Sequence, residues 1–171
     1  QEVGLKPKVF GGALGGLQFA AIQAKLVPML NGIVNFDFWV PEPTLKFPGI
    51  DAFLQKYQAR APKLGVDPYG HYIAPWAYAY VQVLGEAVAA TKSLDQKKIA
   101  DYIRSHAHDA IVGKVKFGPN GEWLKSRTLQ VQFQNVKDNA IEQFREPGKR
   151  VVLWPEEWKS GELIYPYAKA K

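Results

Sequence analysis

Cysteine is absent from the 171 residues. That removes disulfide scaffolds, thiolate zinc sites and thiol catalysis from consideration, and it is compatible with an exported protein. Long apolar runs are also missing, since no stretch approaches the roughly 18 residues that a membrane helix needs. No signal-peptide pattern opens the chain, which begins at Gln1 rather than Met. Runs of one charge are lacking as well. The net charge is +6, yet no four basic residues are consecutive, and between positions 137 and 171 seven basic residues are interleaved with six acidic ones. A phosphate-binding surface concentrates its charge, so this is read as a mildly basic surface and nucleic acid is not an expected partner. What remains is plentiful apolar material, 47% of the chain, enough to bury a core.

The most distinctive local feature is GGALGGLQ, residues 11–18. It follows a short apolar run, so residues 8–12 read as a strand entering a glycine turn. Phe19, Ile22, Leu26 and Leu30 then fall at helical spacing, with Pro28 ending or bending the helix. Residues 33–40 read as a second strand. Val34, Phe36, Phe38 and Val40 are placed on its apolar face, with Asn35, Asp37 and Trp39 opposite. Strand, helix and strand make the βαβ unit of a parallel sheet. Such a turn can hold phosphate, but the residues refuse it. A dinucleotide fingerprint starting at Gly11 needs Gly where Ala13 stands. A P-loop needs Lys and Ser/Thr where Leu17 and Gln18 stand. Two readings survive: a tight turn using glycine's freedom at positive φ, or backbone N–H groups at a helix start holding a small polar or anionic ligand.

The chain then changes character. Three prolines in residues 41–49 make an extended connector. Ile50, Phe53, Leu54 and Tyr57 mark an amphipathic helix. A longer helix spans 75–90, with Pro75 in its first turn and a buried stripe of Ala77, Tyr80, Val81, Leu84, Ala87 and Val88. Ser93 opens a capping box for a third helix carrying Ile99, Tyr102 and Ile103. Residues 112–117 and 128–133 read as paired strands around the 118–121 turn, and residues 150–154 as one more strand.

Catalytic and metal signals are thin. His106, His108 and Asp109 form one short cluster without a distant partner, and read as solvated residues at a helix end. His71 has no companion in sequence. Ser93 and Ser160 lack a nucleophile-elbow setting, and Glu156 and Glu157 read as surface carboxylates. No metal, cofactor or catalytic residue is expected. Aromatic residues are more informative. Tyr69, Tyr72, Trp76, Tyr78 and Tyr80 crowd the start of the long helix, and Trp76 and Tyr78 lie off the expected stripe, where they could wall a ligand pocket.

Four segments resemble one family in order and spacing: KPKVFGGALGG (6–16), WVPEPTLKFPGIDAFLQKYQARA (39–61), DPYGHYIAPWAYAYVQVLGEAVAATKSLD (67–95) and IVGKVKFGPNGEW (111–123). The chain is similar to periplasmic solute-binding proteins of the leucine/isoleucine/valine type, which serve ABC importers. The resemblance implies an α/β fold, part of a type I periplasmic-binding-protein fold with two Rossmann-like lobes and a hinge. It also implies that this is the C-terminal portion of a protein about twice as long. Residues 1–40 would end the second lobe, 41–132 would complete the first lobe after the hinge crossover, and 133–171 would return to the second. The exposed apolar surface would then be covered by an N-terminal fragment of the same protein.

Other implied properties are a precursor with a signal peptide, a periplasmic location (or lipid anchoring in a Gram-positive), a membrane permease as partner, and a small-molecule ligand between the lobes. The glycine turn, Gly12, Ala13 and Leu14, matches one cleft-lining loop, and the helix start, Pro75, Trp76 and Tyr78, matches or adjoins another. Amino-acid-binding members carry an acid in this turn to pair with the ligand's ammonium. Here Ala13 and Leu14 stand there, and Glu2 is the only acid before Asp37. That favours an aromatic or aliphatic carboxylate over an amino acid, with an amino-acid-like ligand still open. A ligand-sensing regulator of the same fold is the alternative.

Overall fold

The structure is a computed structural model that describes residues 4, 6–27, 29–125 and 127–170. The expectations for Pro28 and Glu2 lie outside the described residues. Strand β1 (Phe10–Gly12), helix α1 (Ala20–Leu26) and strand β2 (Ile33–Asp37) form the expected unit, with β1 and β2 parallel. The connector contains a short 3₁₀ turn, Pro43–Leu45, and leads to α2 (Ile50–Leu64), which stops at Gly65 in the left-handed conformation. Then come α3 (Ala74–Thr91), α4 (Gln96–Ser105), β3 (Ala107–Ala110), β4 (Gly113–Lys116), β5 (Leu129–Phe133) and β6 (Arg150–Trp154). One sheet has the order β1-β2-β5-β6, with β5 antiparallel to both neighbours; β3 and β4 form a separate hairpin.

Two apolar clusters hold these elements. One joins the connector, α2, α3 and the hairpin through Trp39, Leu45, Ile50, Ala79, Val112 and Val115, and reaches the sheet at Leu129, Val131 and Val152. The other packs α1 and the sheet's far end through Leu17, Leu30, Tyr69, Phe133 and Phe144. Each large apolar side chain so buried contributes about 1.5–3 kcal/mol.

Four expectations are corrected. In β2 and the residues after it, Ile33, Asn35, Asp37 and Trp39 are buried, while Val34, Phe36 and Phe38 are half-exposed. The polar positions are buried because each has partners, described below. In α3 the buried residues are Pro75, Ala79, Val83 and Ala87, whereas Tyr80 and Val81 are 72% and 63% exposed. Small residues at i, i+4 spacing admit close packing, which leaves the bulky stripe outward. Residues 112–117 do not pair with 128–133. Strand β4 pairs with β3, and the 118–121 turn returns the chain only to a Phe117–Trp123 bridge. Helix α4 is capped by Asp95, whose carboxylate accepts from Lys98 N at 2.9 Å; Ser93 instead accepts from Asp95 N.

Candidate functional site

The glycine turn is built against β2. Leu14 N donates to Asn35 Oδ1 at 2.8 Å, and Asn35 Nδ2 donates back to Leu14 O at 3.3 Å. Gly16 N donates to Gln18 Oε1, and Gln18 Nε2 donates to Phe36 O. At the start of α1, Ala20 N donates to Asp67 Oδ1 at 2.9 Å. Oδ2 of the same carboxylate accepts from Tyr69 N and Gly70 N, so one residue caps α1 and shapes the loop before α3. These donors are therefore already satisfied, and the turn presents Gly12, Ala13 and Leu14 as an exposed lip. Gly11 is obligatory: a Cβ there would lie 1.9 Å from Val34 O.

From that lip to the start of α3 runs a file of aromatic rings. Phe19 meets Tyr72 edge-on at 5.5 Å between centroids, and Tyr72 stacks on Phe38 at 5.4 Å. Phe38 meets Trp76 at 6.0 Å, and Trp76 meets Trp123 at 5.0 Å. Phe36 leans on both Phe38 and Tyr72. Edge-to-face and offset contacts at these spacings suit the ring quadrupoles. The indole N–H groups of Trp76 and Trp123 are buried with no acceptor among the described residues. Both rings also border an apolar groove of about 320 Å³ with Tyr80, Leu84 and Phe117.

The six residues singled out from sequence are thus distributed as follows. Gly12, Ala13 and Leu14 share the lip. Trp76 stands at the far end of the aromatic file. Pro75 is buried in the helix packing. Tyr78 faces the other side of α3, packing on Phe53 at 5.1 Å beside a cavity of about 540 Å³ with Tyr57 and Arg60. Phe19, Phe36 and Phe38 join the file without being among those six, and the alternation of Phe36 and Phe38 along the β2 segment is the sequence signal that points to two of them.

Behind the file lies a buried polar cluster that joins distant positions. Arg150 Nη1 donates to Asp37 Oδ2 at 3.0 Å, and Arg150 Nη2 donates to His71 Nδ1 at 2.6 Å. Burial pushes the Asp37 carboxyl above its ordinary pKa, against the pull of Arg150. Burial, reinforced by Arg150 and Arg145, holds the His71 imidazole well below its own. Tyr69 stacks on the His71 ring at 5.4 Å, and Trp39 tilts against it at 5.0 Å. His71 therefore has companions that its sequence position conceals. His108, expected at the surface, is buried too, between Glu86 and Ile103 O, while His106 is exposed. Among the described residues no group of three or more His, Asp or Glu could hold a metal ion, and no helix is long and apolar enough to cross a membrane.

Comparison with known proteins gives a family and a fold. The family model "Periplasmic binding protein" matches residues 1–138. A leucine-binding protein from Thermotoga maritima superposes on 68% of this chain at 20% identity with a TM-score of 0.51. An ABC-type branched-chain amino acid transporter protein from Rhodopseudomonas palustris covers 83% at 17% identity with a TM-score of 0.54. A periplasmic binding protein from Burkholderia mallei covers 90% at 18% identity with a TM-score of 0.57. The matched regions span 31%, 33% and 38% of those three chains, about a third of each. No curated protein matches the chain.

Proposed function

Because the chain belongs to the periplasmic binding protein family, we propose that it forms part of the solute-binding component of an ABC importer. The observation that carries the ligand reading is the aromatic file from Phe19 through Tyr72 and Phe38 to Trp76, beside a lip made of Gly12, Ala13 and Leu14. Half-exposed rings with few polar atoms suit an apolar or aromatic body. The lip has no carboxylate to neutralise an ammonium group. The ligand is therefore an aromatic or aliphatic carboxylate rather than a free amino acid. It is captured outside the cytoplasm and delivered to a membrane permease after closure of two lobes about the 41–49 connector. No bond is made or broken.

The chain spans about a third of the solved relatives, and we propose that an N-terminal portion of the same protein covers the outer face of α3. Ile73, Tyr80, Val81 and Leu84 make that face, an exposed apolar surface of the kind that marks an interaction site. In the whole protein, a thermal-shift series with leucine, phenylacetate and octanoate tests the ligand class, because a ligand of the native state raises the melting temperature. Phenylacetate or octanoate should stabilise and leucine should not. The Tyr72→Ala and Trp76→Ala variants should lose the response. A response to leucine alone would overturn the role given to Ala13 and Leu14.

A further inference from the structure

A further cavity, of about 390 Å³, opens beside the connector, between residues 39–46, α2 and the 145–147 segment. Trp39, Pro41, Pro43, Leu54 and Pro147 give it apolar walls. His71 reaches it from the α2–α3 loop while only 1% exposed. The protonation of that ring follows from its neighbour. Arginine can only donate, so the 2.6 Å contact from Arg150 makes Nδ1 the acceptor, and the proton of the neutral ring sits on Nε2. Nε2–H has no acceptor among the described residues. Lys46 and Arg145 stand at the rim, and Asp51 is the one carboxylate among the lining residues. Arg145 spends a single N–H on Pro68 O at 3.3 Å. A donor on the cavity wall with two cations at the mouth favours an acceptor carrying negative charge.

We propose that this cavity is a second binding site, for a small organic carboxylate. One carboxylate oxygen accepts from His71 Nε2–H, the charge faces Lys46 and Arg145, and the apolar body lies along Trp39, Leu54 and the prolines. A phosphate dianion fits less well, because the apolar surfaces of Trp39, Leu54 and the prolines cannot replace its hydration.

The test uses benzoate as probe and reads the ring ¹⁵N–¹H signals of His71 and the indole signal of Trp39 during a titration. A saturable shift of His71 Nε2 is expected. The Lys46→Ala and Arg145→Ala variants, both on exposed side chains, should each weaken it about two- to fivefold, the size of one exposed charge contact. Tyr72→Ala should leave it unchanged, which separates this site from the aromatic file: a thermal shift that does not depend on Tyr72 would count against the cleft reading only. A drift without saturation, a titration indifferent to both rim substitutions, or an equal response to inorganic phosphate would overturn the proposal.

Discussion

Replacing Arg150 with leucine should be the most damaging single change away from the apolar core. The guanidinium is 1% exposed and touches both Asp37 and His71. Its loss leaves the Asp37 carboxylate buried with only the backbone N–H groups of Phe38 and Trp39. It also leaves His71 Nδ1 without a donor. Removing one partner of a buried pair costs about 3–5 kcal/mol, a large share of the roughly 5–15 kcal/mol that holds a typical domain together. With an m-value of about 2 kcal/mol/M, the urea midpoint should fall by about 1.5–2.5 M. The pair itself is not the source of stability, however. Asp37→Leu combined with Arg150→Leu should recover most of the loss, because both charges then avoid desolvation. A single-variant cost below about 1 kcal/mol, or a double variant equal to the sum of the singles, would refute the coupling.

The same cluster makes stability depend on pH. Unfolded, His71 takes a proton near 6.5; folded, it resists to a much lower pH. Its contribution is complete above 6.5 and drains away as the pH falls below it. Asp37 acts with the opposite sign, since a raised folded pKa returns stability on acidification. Comparing wild type with His71→Gln between pH 6.5 and about 5 isolates the histidine: the wild type should lose stability more steeply. Parallel profiles would show that His71 is not held neutral.

Asp67→Ala removes the acceptor for Ala20, Tyr69 and Gly70, and should cost about 1–2 kcal/mol by thermal unfolding, with Asp67→Asn milder. Gly11→Ala should detach β1, because its Cβ would strike the Val34 backbone; accelerated amide exchange at 33–35 is the readout. Tyr80→Ser with Val81→Ser should change the stability of this chain by less than about 0.5 kcal/mol per site. In the whole protein each should cost about 1.5–3 kcal/mol, if the N-terminal portion buries them as proposed. Equal effects in both settings would refute that burial.

Much of the scaffold was legible because its signals are local. The glycine turn, the Ile50–Tyr57 periodicity and the run at 150–154 each specify their own element. Misreadings arose where a pattern has two solutions or none. Helix α3 is apolar on two faces, and only the packing partner decides which is inside. Strand β3 reads AHDA, without β-branched residues, so its pairing with β4 had no visible alternation. In β2, Asn35 and Asp37 look like a solvent face until the turn and Arg150 are brought to them. Asp37 and Arg150 are 113 positions apart, and His71 and Arg150 are 79 apart; no local pattern encodes such a meeting. The aromatic file has the same character. Trp76 stands out in sequence and Phe36 and Phe38 share one strand face, but the half-exposed stacking of Phe36, Phe38, Tyr72 and Trp76 exists only once β2 and the α3 approach lie side by side.

The Trp76–Trp123 contact gives the protein an optical signature of its own. Two indoles at 5.0 Å and 60° are close enough for their excited states to mix, which splits the absorption band into paired circular-dichroism signals of opposite sign. The size and sign of that couplet depend on the angle between the rings. Any shift of the 118–125 loop against the start of α3 is therefore written directly into a spectrum, with no label attached.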